Sequence, residues 1–113
     1  MDNGTEVREY IDAKGNSPYA KWFDRLNVPA AVKVATAIHR MEQSNFSNVK
    51  GVGAGVYEYR IDFGPGYRIY FGKDGGLLVI LLAGGAKNRQ EADITAAKAC
   101  WRDYKRRKRQ EVQ

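Results

Sequence analysis

The sequence predicts an α+β domain in the order β-α-α-β-β-β-α, a curved antiparallel sheet covered on one face by a helical hairpin. Three observations predict it. Apolar residues recur at helical spacing from Tyr19 to Met41 and again from Ile94 to Tyr104, they alternate with period two from Tyr57 to Phe71, and Leu77 to Ala83 is an unbroken apolar run. The 113 residues, 43% of them hydrophobic, suit one domain, 1–113, whose residues 105–113 form a basic C-terminal extension.

Branched and aromatic side chains from Glu6 to Ile11, stopped by Lys14-Gly15-Asn16, give a first strand. Ser17-Pro18 then supplies an N-cap with proline at the first helical position, and Tyr19, Trp22, Phe23 and Leu26 line a short helix. Asn27 and Pro29 restart the pattern, and Ala31, Val34, Ile38 and Met41 mark a second helix ending near Gln43. The polar, glycine-rich stretch Ser44 to Gly55 is expected to be a mobile loop.

In the next two strands the odd-numbered residues Tyr57, Tyr59, Ile61, Phe63, Tyr67, Ile69 and Phe71 form the apolar face. A three-residue loop at Gly64-Pro65-Gly66 would pair Phe63 with Tyr67, Asp62 with Arg68 and Arg60 with Tyr70, keeping that face continuous. Leu77 to Ala83 is expected to be the central, doubly buried strand, ended by Gly84-Gly85. Asn88 with Glu91 resembles a capping box for the last helix, and Ile94, Ala97, Trp101 and Tyr104 form its apolar stripe. With the helical hairpin on one face, Glu58, Arg60, Asp62, Arg68 and Tyr70 are expected on an open face where function resides.

Lys and Arg number 19 against 13 Asp and Glu, a formal charge of +6 that favours polyanionic or acidic protein partners. The lone Cys100 excludes an intramolecular disulfide framework, and with His39 leaves too few soft ligands for a zinc site, so neither metal nor cofactor is expected. A reducing cytoplasm is the expected location. The longest apolar run is too short to span a bilayer, and Asp2, Asn3 and Gly4 do not open a basic, apolar leader. Neither Gly84-Gly85 nor the glycines from Gly51 to Gly55 have the spacing of a nucleotide loop.

The stretch YEYRIDFGPGYRIYF from Tyr57 to Phe71, followed by LLVILLAGGAK and by IxxAKxxWxDY from Ile94, resembles toxins of the RelE/ParE superfamily of type II toxin–antitoxin systems. The resemblance covers nearly the whole chain and is nearest to the addiction module killer proteins related to HigB-type toxins. It implies a RelE-like fold and a ribosome-dependent mRNA endonuclease, an mRNA interferase that enters the decoding site and inhibits translation. It further implies a cognate antitoxin, often with a helix-turn-helix domain, through which alone the pair reaches operator DNA; mRNA on the ribosome and ribosomal RNA are the other partners, and no membrane. Arg68 stands at the arginine of the superfamily's glycine-Tyr-Arg segment, here Gly66-Tyr67-Arg68, while Arg60 and Lys87 fall where relatives place basic residues. No histidine follows His39, unlike relatives with a histidine or tyrosine near the last strand, which leaves the general acid or base open.

Cutting RNA without a metal requires deprotonating a 2′-hydroxyl, stabilising charge on the phosphorus oxygens and protonating the leaving 5′ oxygen. Arginine suits the middle role, because its fork binds two phosphate oxygens and stays protonated. The expected catalytic set is therefore Arg60 and Arg68 on the phosphate, Glu58 as base on the same face, and Lys87 holding the phosphate or acting as acid. Lys50, Arg89 and an exposed Tyr70, stacking on a base, are the expected RNA-binding residues. Arg60 and Arg68 could instead be ordinary cross-strand partners of Asp62 and Glu58, with Glu58 merely orienting an arginine. Two other functions fit the same superfamily: a ParE-like DNA gyrase poison without nuclease activity, and a chain that binds antitoxin but has lost toxicity.

Overall fold

The computed structural model describes residues 4–111; the opening Asp2 and Asn3 and the end of the basic extension, 112–113, lie outside the described residues. The elements are β1 (Glu6–Glu9), α1 (Pro18–Asp24), α2 (Val28–Glu42), β2 (Val49–Gly53), β3 (Val56–Ile61), β4 (Tyr67–Lys73), β5 (Leu78–Ala86) and α3 (Gln90–Glu111), with a 3-10 turn at Lys87–Arg89 leading into α3. The strand order is β1-β5-β4-β3-β2. β2 through β5 are antiparallel neighbours, whereas β1 lies parallel to β5, so the sheet is mixed rather than wholly antiparallel. The long crossover through two helices and three strands permits that parallel pairing.

Both helices of the hairpin begin as the sequence predicts. Ser17 Oγ accepts from the Ala20 amide at 3.0 Å and Asn27 Oδ1 from the Ala30 amide at 2.9 Å, each satisfying an otherwise unpaired donor of the first turn. Tyr19, Trp22, Ala30, Val34, Ala37 and Met41 then pack on the odd-numbered strand residues Tyr59, Ile61, Tyr67, Ile69 and Phe71.

Four expectations about the sheet are corrected. The supposed loop from Ser44 to Gly55 contains β2, an edge strand whose glycines hid its period and whose pairing with β3 is interrupted by a bulge between Gly51 and Gly53. The β2–β3 hairpin turns through Ala54 and Gly55, both at positive φ, as a two-residue turn requires. The β3–β4 register differs by two residues from a three-residue loop: Ile61 faces Tyr67 and Arg60 faces Arg68, which leaves a five-residue connection over residues 62–66. A shift of two preserves the faces, so the parity argument stands although the partners change. β5 also runs through Gly84 and Gly85 to Ala86, and the middle of the sheet is β4. These glycines do not stop the strand; they make room on it, since a Cβ on Gly84 would fall 2.1 Å from the Trp22 ring and one on Gly85 1.8 Å from Asp93 Oδ2.

The largest correction concerns the second face, which is not open. The apolar stripe of α3 lies on it, and Ala97 and Trp101 close a second core with Tyr10, Val56, Tyr70, Ile80, Leu82 and Ala83. Burying Ile80 and Leu82 in this way is worth ~1.5–3 kcal/mol each. Trp101 lies against Gly72, where a Cβ would come within 2.5 Å of the ring, and stacks on Tyr104 with centroids 5.2 Å apart. Two phenols fasten the helix: Tyr10 Oη donates to Asp103 at 2.7 Å and Tyr104 Oη to Asp74 at 2.6 Å. Lys105 to Arg109 continue α3 as helix, with Arg106 and Arg107 paired to Asp103 and Lys108 to Asp74. The expected capping box is replaced by the 3-10 turn, and among the described residues no hydrogen bond joins Asn88 to Glu91.

Gly84→Ala is expected to destabilise the protein by ~1–3 kcal/mol through overpacking against Trp22. Gly76→Ala, which meets nothing within 4 Å, should stay within about 0.5 kcal/mol of the parent. Equal urea midpoints for the two variants would contradict the packing. Acid should loosen α3. Lys108, then Tyr104, holds Asp74 below the ordinary carboxylate value of 3.8, and Tyr10, then Arg106, does the same for Asp103. A depressed carboxyl adds stability that is complete above 3.8 and is lost as pH falls through the lower folded value. Thermal melts of the parent should therefore decline below that pH, and Asp74→Asn with Asp103→Asn should flatten the decline; an unchanged acid slope would refute it.

Candidate functional site

The strand register builds the site in two rows. Lys50, Glu58, Tyr70 and Ala83 are successive cross-strand partners from β2 to β5, and Arg60, Arg68 and Gly85 are partners in the next row. Arg60 directly opposite Arg68 is a like-charge pair, unfavourable by itself. Glu58, in the adjacent row, supplies the compensating charge.

Glu58 has 0% solvent exposure beneath the start of α3. Its Oε1 accepts from Gln90 Nε2 at 2.6 Å, and its Oε2 lies 3.7 Å from Arg68 Nε and 3.8 Å from Lys50 Nζ. Oε2 and Arg68 Nε are buried without a geometrically sound hydrogen bond among the described residues, so the ion pairs carry most of the compensation, with the buried Tyr70 phenol beside the carboxylate. Nη1 of Arg68 donates to the Tyr67 carbonyl at 3.1 Å. Arg68 is only 5% exposed, yet it forms the inner wall of a groove of about 350 Å³ lined also by Asp62, Phe63, Gly64, Pro65, Gly66 and Lys87. Gly64 and Gly66, both at positive φ, shape that rim, and the Lys87 amide donates to the Gly66 carbonyl at 2.9 Å. Gly66 sits between the Lys87 and Arg68 side chains, which a Cβ there would touch at ordinary contact distances of 3.4 and 3.6 Å, so its positive φ rather than lack of space is what favours glycine.

The residues expected from sequence therefore divide. Arg68 and Lys87 share the groove, and Glu58 and Lys50 join Arg68 behind it. Arg60 is exposed and lines a neighbouring groove, between α2 and β3, with Lys33, Arg40 and Asn48; Asp62 and Phe63 border both. Arg89 is exposed and pairs with Asp93 at 3.8 Å. Two expectations fail because α3 covers the face: Glu58 cannot meet a substrate hydroxyl where it lies, and Tyr70, at 0% exposure, offers no face for a base. Burial, reinforced by the negative charges of Glu58 and Asp93, pushes the Tyr70 phenol well above its usual range, so it stays protonated. Burial also raises the Asp93 carboxyl, against the opposing pull of Arg89. Among the described residues no three His, Cys, Asp or Glu side chains cluster as metal ligands.

Gln90 and Asp93 are the participants that sequence reasoning missed. A signal existed: positions 90, 93, 97, 101 and 104 fall on one helical face, so the stripe that buries Trp101 must carry two polar side chains inward at its start.

The chain is similar to an uncharacterised protein of Haemophilus influenzae, 42% identical over 89 residues that cover 78% of this chain and 90% of that one. Residues 21–105, which include α2, all of β2 to β5 and the Arg68–Lys87 groove, match the family described as phage-derived protein Gp49-like (DUF891). That family is associated with toxin–antitoxin modules. With the match spanning four of the five strands and most of the helix that covers them, the chain belongs to the phage-derived Gp49-like family.

Proposed function

We propose that this protein is the toxin of a type II toxin–antitoxin module, of the RelE/ParE type, and that it acts as a metal-independent, ribosome-dependent mRNA endonuclease. The observation that supports this most is that Arg68 and Lys87 line one groove beside the Gly64-Pro65-Gly66 turn, of a size that admits a phosphodiester. Nη2 of Arg68 is the guanidinium nitrogen left for a phosphate, because Nε faces Glu58 and Nη1 is committed to Tyr67. A charged donor held in one orientation serves the transition state better than a mobile cation would.

In the proposed reaction the 2′ oxygen attacks phosphorus and releases its proton to solvent. The bond from phosphorus to the 5′ oxygen breaks, and the Lys87 ammonium gives that oxygen a proton, leaving a 2′,3′-cyclic phosphate and a free 5′-hydroxyl. Arg68 holds the extra negative charge as it develops. Glu58 is the partner that holds Arg68 rather than the base. The exposed cations Arg60, Lys50 and Arg89 contact flanking phosphates, so binding weakens as salt rises. An antitoxin, to which the basic surface is complementary, silences the site.

Expression in bacteria should stop growth and produce new 5′ ends within translated messages. Arg68→Ala and Lys87→Ala should each lower cleavage by ~10²–10³ while the purified variants keep the parental circular dichroism spectrum. Full cleavage and toxicity in both variants would reject the site. Gyrase-linked DNA breaks with intact messages would replace the nuclease by the gyrase-poison reading, and growth without harm would point to a chain that only binds antitoxin.

A further inference from the structure

The groove works only if Arg68 stays where it is, and an arginine side chain left to itself samples many rotamers, so that fixing one is opposed by entropy. Its own contacts are few. Nη1 has the Tyr67 carbonyl, and Nε has Glu58 at a distance too long for a hydrogen bond. What keeps the Glu58 carboxylate in place is therefore decisive for Arg68. Lys50 approaches Glu58 from the edge strand, but its side chain is largely exposed and stands 3.8 Å away. Among the described residues the one short, directional bond to Glu58 is the 2.6 Å donation from Gln90 Nε2, while the buried Tyr70 phenol also faces the carboxylate.

Gln90 is the first residue of α3, a helix held by Trp101 and by the two phenol bonds at its far end. We propose that Gln90 is a positioning residue for the phosphate-binding arginine: its side-chain amide fixes the rotamer of Glu58, and Glu58 in turn aims Arg68 into the groove. The reading of the groove as an RNA site is assumed for the functional half of this statement; the placement of Arg68 does not depend on it. An amide is suited to the position because it donates without adding charge beside a buried pair. A leucine there would leave Glu58 Oε1 buried and unanswered, and a glutamate would set a second carboxylate against it.

The test compares Gln90→Leu, Arg68→Ala and the double variant in the full chain, with Gln90→Lys as the variant that restores a donor. Binding of a uridine octamer is measured, together with the hydrogen-exchange rate of the Arg68 Nε–H proton by nuclear magnetic resonance. Gln90→Leu is expected to weaken binding about tenfold and to speed exchange of that proton at unchanged helix content. It should weaken binding no further in the Arg68→Ala background, and Gln90→Lys should recover at least part of the loss. Additive losses in the double variant, or an Arg68 proton that exchanges as in the parent, would overturn the proposal. Should the parent bind no RNA, the nuclease reading fails, while the exchange rate still decides whether Gln90 holds Arg68. If Gln90→Leu does not fold, the milder Gln90→Met, read by the same exchange rate, decides it.

Discussion

A carboxylate removed entirely from water must be met by donors and positive charge, since even after relaxation an unanswered buried ion costs several kcal/mol. Glu58 is such a carboxylate, and much of the molecule is arranged around it. Lys50 from the edge strand, Arg68 from the middle strand and Gln90 from the last helix converge on its two oxygens. Three separate elements thus have to be correctly assembled before the charge is satisfied. The cluster stabilises less than an apolar core of equal size would, yet removing Arg68 from its buried pair with Glu58 is expensive, by ~3–5 kcal/mol, whereas the exposed Lys50 and the neutral Gln90 contribute less. It therefore specifies how α3 lies on the sheet more than it strengthens the fold.

That placement of α3 decides what can be functional. A bare sheet face would have offered a row of charged side chains to a substrate. With the helix down, the same face is a second core, and access narrows to the rim where the Gly64-Pro65-Gly66 turn meets Lys87. Arg68 reaches this rim from inside. Its Nε and Nη1 face protein partners while the residue also lines the groove, so one residue belongs to both the packing and the rim. The glycines take part in the same economy of space: Gly85 accepts the Asp93 carboxylate, Gly84 the Trp22 ring and Gly72 the Trp101 ring.

Much of this was readable from periodicity. The Ser17 N-cap, the hairpin of helices, the meander and the odd-numbered apolar face all follow from residue type and spacing, because local hydrogen bonding and burial enforce them. β2 was not readable, since Gly51, Gly53 and Gly55 remove the side chains that would show an alternation. The covered second face was legible in principle: Ile94, Ala97, Trp101 and Tyr104 form a stripe that needs a surface to bury it, and only the face carrying Tyr70 and Leu82 was left. Charged residues at Glu58 and Arg68 argued the other way, for solvent, because single-strand alternation cannot tell an exposed charge from one paired inside. Arg68 lines a groove beside the glycine turn, whereas Tyr70 and Glu58 are shut away from solvent.

The account rests on Glu58 and Arg68 acting as one unit inside the protein. The most direct test is their coupling energy, measured by urea unfolding of Glu58→Gln, Arg68→Met and the double variant. A shared buried pair predicts that the double variant loses less than the sum of the single losses, with a coupling of about 1–3 kcal/mol. Losses that add to within about 0.5 kcal/mol would mean that the two residues are independent, and that Glu58 does not hold the arginine at the groove.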